Sequence, residues 1–86
     1  MAYNIVFKES SEKDLKAIDR AQAKKILNAI EKKLSTEPRK HGEPLHGEWD
    51  GFWKLYVKPY RVIFEIFEND STVRVYRIGH RKDVYR

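Results

Sequence analysis

The 86-residue chain contains no cysteine and a single methionine. The absence of thiols excludes a disulfide framework, a thiolate nucleophile and a Cys-type zinc site, and it leaves packing alone to hold the fold, which suits a reducing cytosol. Long apolar runs are missing too. The alternation at Tyr3, Ile5 and Phe7 stops after a few residues, too soon for the core of a signal peptide or a membrane span. No glycine-rich phosphate loop and no Gly-x-Ser-x-Gly elbow occurs. His41, His46 and His80 have neither an i, i+4 helical pairing nor a carboxylate motif beside them, so neither a metal site nor a cofactor is expected. A chain this short forms one domain, residues 1–86, and buries only about 60–65% of its unfolded surface, too little for a deep cofactor cleft. A soluble, cytoplasmic protein without membrane association is expected.

Charge, in contrast, is plentiful. Charged residues make up 36% of the chain, against roughly 25% in an average domain. Lys and Arg number 18 against 13 Asp and Glu, a net charge of +5. Such a face can simply be solvated. A basic excess on a small domain also attracts polyanions, because summed charge steers nucleic acid and makes its binding salt-dependent. From Arg74 to Arg86 there are five Lys or Arg residues and one acid, which concentrates the excess near the C-terminus.

The periodicities order the elements. Tyr3, Ile5 and Phe7 alternate with Asn4, Val6 and Lys8 as in a first strand buried mainly on one face. Ser10 or Ser11 offers an N-cap to a first helix, with Asp14 three residues after Ser11. Asp19, with Gln22, can cap a second helix that forms a hairpin with the first. In that helix Ala23, Ile26, Leu27, Ile30 and Leu34 share a face, and Pro38 ends it. From residue 43 the period becomes two, with a possible short strand near Leu45. Trp53, Leu55 and Val57 then face one side, and Phe52, Lys54, Tyr56 and Lys58 the other. After a turn at Lys58-Pro59, Tyr60, Val62, Phe64 and Ile66 face opposite to Arg61, Ile63, Glu65 and Phe67. The tetrapeptide Glu68-Asn69-Asp70-Ser71 closes a hairpin. In the last strand, Thr72 to Ile78, the alternation breaks at Arg77, which points to a bulge or to a strand covered on both faces. Trp49 and Trp53 read as packing residues of core or rim.

The remaining polar set is cationic and phenolic: Lys54, Tyr56, Lys58, Arg61, Arg81, Lys82 and Tyr85. Glu65 and Glu68 read as surface carboxylates rather than an acid pair, and Lys54 and Lys58 taken singly as solvating charges. Arg61, inside an otherwise apolar strand, is the most pointed of the cations. Together the set suits RNA cleavage without a metal. The 2′-hydroxyl is a built-in nucleophile, so a protein need supply only a base, cations for the phosphorane charge and an acid for the leaving 5′-oxygen. Aromatic rings can stack a splayed base.

In order along the chain, the run Gly42-Glu43-Pro44-Leu45-His46-Gly47, then Gly51-Phe52-Trp53-Lys54-Leu55, Tyr60-Arg61-Val62-Ile63-Phe64-Glu65-Ile66 and Ile78-Gly79-His80-Arg81-Lys82-Asp83-Val84-Tyr85 resembles the RelE/ParE superfamily of toxins. The resemblance implies an α+β, microbial-ribonuclease-like fold: an N-terminal strand, a helical hairpin, then an antiparallel sheet of three or four strands with helices on one face. It implies a ribosome-dependent endoribonuclease, of the RelE branch, that cuts mRNA in the A site. Lys54 then serves as base or phosphate ligand, Arg61 stabilises the transition state, Arg81 belongs to the leaving group, and Tyr85 stacks or orients the nucleotide. Tyr56, Lys58, His80, Lys82 and Arg86 become further RNA contacts. Tyr56 stands where the RelE pattern has a second lysine. The implied partners are the ribosome, mRNA and a RelB-like antitoxin with an acidic segment, bound in a hetero-oligomer. A ParE-like toxin that traps DNA gyrase, or an inactive relative, is the alternative.

Overall fold

Exposed and half-buried residues alternate along the first strand, Asn4–Phe7 (β1), in a computed structural model that describes residues 2–80. Two helices follow, Glu9–Ala17 (α1) and Arg20–Ala29 (α2), the second continuing as a wider π-helical turn over Ile30–Leu34. Ile26, Ile30 and Leu34 are spaced by four, and this wider winding keeps all three buried on one line. Pro38 does more than end that helix. It is fully buried and opens a short helix, Pro38–His41 (α3), where its missing N–H costs nothing.

The strands Glu43–Pro44 (β2), Trp53–Val57 (β3), Tyr60–Phe67 (β4) and Thr72–His80 (β5) complete a sheet in the order β1-β5-β4-β3-β2. The expected antiparallel part comprises β2 to β5. β1 adds to it in parallel, pairing Ile5 with Val73 and Phe7 with Val75. The short strand expected near Leu45 lies just before it, at Glu43–Pro44. One face packs on α2 through Leu55, Val57, Val62, Phe64, Val73, Val75 and Ile78. The alternation read from β3 and β4 assigns their residues to this face. The irregularity in β5 is a bulge: Ile63 pairs with Arg77 but Phe64 with Val75, so Tyr76 is the extra residue. Val75 and Ile78 thereby reach the same core despite odd spacing.

The capping expectation for α1 does not hold. Lys8 occupies the N-cap position without a side-chain cap, and Ser11 lies inside the helix, fully buried, its hydroxyl donating to the Lys8 carbonyl at 2.7 Å. Ser10 Oγ instead donates to the Tyr76 carbonyl at 2.6 Å. Asp14 Oδ2 accepts from the Ile78 N–H at 2.8 Å and from Arg77 Nε at 2.8 Å. β1 ends opposite Val75, so the edge of β5 beyond it has no strand, and these α1 side chains satisfy its backbone instead. Asp19 takes the N-cap position of α2 as expected, without the side-chain hydrogen bond that its pattern suggests.

Gly42 is fixed by close approach. A Cβ there would stand 2.5 Å from Phe64 Cζ and 3.0 Å from the Pro38 carbonyl oxygen, and the fully buried Phe64 ring cannot yield. Gly42→Ala should destabilise the fold by about 1–3 kcal/mol, as other overpacking changes do. A melting temperature equal to the wild type's would refute this reading. Asp14→Ala should cost about 2–3 kcal/mol, since it deletes charge-assisted hydrogen bonds. Urea denaturation checks it, and an unshifted midpoint would show that α1 is held by other means.

Candidate functional site

The sheet face turned away from α2 carries the expected cations, and strand register brings them together. Glu43 of β2 stands opposite Lys54 of β3, and Tyr56 opposite Arg61 of β4. Because side chains alternate along a strand, Lys54, Tyr56 and Arg61 emerge on one side. These three residues and Glu43 line an open cavity of about 160 Å³. The Arg61 guanidinium lies 5.4 Å from the centre of the Tyr56 ring, within cation–π range. Tyr56 itself is 53% exposed, so its ring remains open to a ligand. On the far side of Arg61 its partner is Gly79, which puts no side chain beside the guanidinium.

Next to this cavity the same face bears an aromatic cluster. Phe52 and Tyr76 have ring centres 5.2 Å apart, Trp49 meets both edge-on at 5.4 and 6.0 Å, and Lys8 sits 4.8 Å from the Tyr76 ring. Ile63, in the strand row beside it, is fully buried. Trp49 thus packs on the outer face, whereas Trp53 stacks on Phe64 at 6.5 Å on the core side.

The two carboxylates that could be imagined as an acid pair are engaged elsewhere. Glu65 Oε1 accepts from Arg74 Nε and Nη2 at 3.1 and 2.9 Å. Glu68 accepts from the Tyr3 hydroxyl at 2.6 Å and from Arg39 Nε at 2.8 Å. The Tyr3 hydrogen bond first, and Arg39 second, hold the Glu68 carboxyl below its ordinary value; the same bond to Glu68 pushes the Tyr3 hydroxyl up. Glu43 and Lys54, in contrast, make no ion pair with another described residue.

Glu43 is the site residue that the sequence reading missed. A two-residue strand has no period, so only the pairing of β2 with β3 reveals that Glu43 flanks Lys54. Lys58 lies in the turn after β3, exposed, one strand pair beyond the Tyr56–Arg61 row. His80 is placed apart. It pairs with Tyr60, their ring centres 4.8 Å apart, on the side opposite Arg61, beside Asp14 and Asp19. Arg81, Lys82, Tyr85 and Arg86 fall outside the described residues. Among the described residues, no group of three His, Asp or Glu side chains is placed to hold a metal ion.

The family model for the ParE toxin of the type II toxin-antitoxin system, parDE, matches residues 5–85. Toxin RelG of Mycobacterium tuberculosis is 29% identical over 86 residues, covering 100% of this chain and 99% of that protein. The toxin–antitoxin complex RelBE2 of the same organism contains a chain that superposes with a TM-score of 0.90 at 26% identity, over 96% of this chain and 95% of that one. In the archaeal RelE–RelB complex of Pyrococcus horikoshii the values are 0.76 and 21%, over 98% and 100%.

Hydrogen bonding to ionised Glu68 also predicts an acid dependence. A depressed carboxyl stabilises the fold fully above its unfolded value of 4.5, and the contribution is lost as pH falls through the lower folded value. The stability difference between wild type and Glu68→Gln should therefore be constant near neutrality and shrink below pH 4.5. Denaturation midpoints measured across acidic pH test this, and a difference that stays constant or grows there would refute it.

Proposed function

The chain belongs to the ParE toxin family of type II toxin–antitoxin systems, and from that premise we propose that it is a ribosome-dependent endoribonuclease, cutting mRNA in the A site through its own side chains. The observation that carries this reading is the convergence of Glu43, Lys54, Tyr56 and Arg61 on one cavity. Glu43, a carboxylate set opposite Lys54 in the same cavity, is the acceptor for the 2′-hydroxyl proton. Lys54 then takes the phosphate-binding role of the two open to it. Arg61, beside Lys54, stabilises the charge that develops on the phosphorane oxygens. Tyr56, exposed and backed by Arg61, stacks a base and orients the attack. The leaving 5′-oxygen is served by Arg81 and the nucleotide by Tyr85, roles that rest on the family resemblance.

The reaction takes place in the cytoplasm, on a ribosome that supplies the remaining walls of so small a cavity. A cognate antitoxin of RelB type restrains it, its acidic segment matched to the cationic face. The RelBE2 and archaeal RelE–RelB structures are toxin–antitoxin complexes and support this partnership. The parDE description of the matching family favours a second reading, a toxin that traps DNA gyrase.

Programmed ribosomes separate the two. Purified protein should yield discrete A-site cuts, and Arg61→Ala or Glu43→Gln should each slow cleavage about 10²-fold or more, the usual loss for a transition-state donor or general base. Intact mRNA in the presence of folded wild-type protein, together with inhibited supercoiling, would replace this reading with the gyrase one.

A further inference from the structure

The C-terminal stretch is not the only concentration of positive charge. Between Arg20 and Leu34 stand Arg20, Lys24, Lys25, Lys32 and Lys33, against one carboxylate, Glu31. All five cations are exposed, and none forms an ion pair with a described residue. Lys13, Arg39, Lys40, Arg74 and Arg77, in contrast, are each paired with a carboxylate. The unpaired group is also connected to the site. Lys25 Nζ donates at 3.2 Å to the carbonyl of Lys58, in the turn that ends the strands bearing Tyr56 and Arg61.

We propose that the outward face of α2 and its π-helical extension, through Lys24, Lys25 and Lys32, docks the phosphate backbone of structured RNA beyond the segment that is cleaved. The track begins at Lys54 and Arg61, crosses Lys58 and reaches Lys25. From there to Lys32 is seven residues, or about 10 Å of helix. Besides Leu27, the exposed residues set between these lysines are Asn28 and Glu31. A protein partner needs aromatic or large aliphatic anchors, and this face offers none; Leu27 turns instead toward the groove beside β1. A phosphate backbone requires only cations, and it is gripped without regard to sequence. This surface therefore positions the toxin, while the cavity does the chemistry.

The inference rests on the ribonuclease reading, and the Lys25→Glu/Lys32→Glu variant tests it with two readouts. With programmed ribosomes its KM should rise about tenfold or more while kcat stays within about twofold, because the changed residues do not touch the reacting atoms. With a folded RNA hairpin, the slope of log affinity against log salt should become shallower by about 1 to 2, as each lost phosphate contact removes about 0.7 to 0.9. Lys13→Glu/Lys40→Glu, on α1 and α3 and outside the track, reverses the same number of charges, serves as the matched control for net charge and should change neither readout. Unaltered KM and salt slope in a variant that cleaves would overturn the proposal. So would normal hairpin binding combined with lost affinity for polyglutamate, which would mark the face as a protein-binding surface. If wild-type protein binds the hairpin through these lysines but leaves mRNA intact on the ribosome, the RNA-docking face is supported and the ribonuclease reading alone falls.

Discussion

One carboxylate holds the two halves of the molecule in register. Asp14 receives the Arg77 guanidinium on both oxygens, at 2.8 and 3.3 Å, and the Ile78 N–H as well. β5 lies second in the sheet, and its last residues outrun β1. Without a helix donating acceptors to that bare edge, the peptide groups beyond Val75 would lack partners on one side. The contact also secures the bulge at Tyr76, which sets Gly79 opposite Arg61. The register around Arg61 thus depends on an ion pair made on a different element.

Much of this was readable in the order of residues. A period of two in β3 and β4, each interrupted by a cation among apolar neighbours, fixes which face holds the core and which holds Lys54, Tyr56 and Arg61. The four-residue spacing of Ile26, Ile30 and Leu34 identifies the helical face against the sheet. The broken alternation before Arg77 signals a bulge. What remained hidden depends on contacts between distant residues. Asp14 reads from the sequence as part of a capping pattern, yet it lies inside α1 and its partners are some sixty positions away, and local preference yields to them. The parallel docking of β1 and the approach of Glu43 to Lys54 are also matters of pairing, on which periodicity is silent.

Two kinds of charge are separated by how they are used. Arg74, Arg77 and Arg39 are bound to carboxylates and brace the scaffold. Lys54 and the exposed lysines of α2 are kept out of such pairs, which leaves their fields directed outward. The same distinction sorts the acids. Glu65 and Glu68 are held by arginines, while Glu43 faces a cavity with cations nearby and no ion-pair partner among the described residues. The candidate site stands on one face of a small sheet, and the strength of its charges depends on what closes over them.

The strand order also sets a sequence of events in time. Glu43, Lys54, Tyr56 and Arg61 are near neighbours along the chain, and β2, β3 and β4 can meet as soon as they are made. β1 and α1, although synthesised first, have no edge to join until β5 exists, because both dock on that later strand. A nascent chain therefore carries the residues of the candidate site before it carries the frame that holds them still, and that frame is complete only when its beginning and its later strand have found each other.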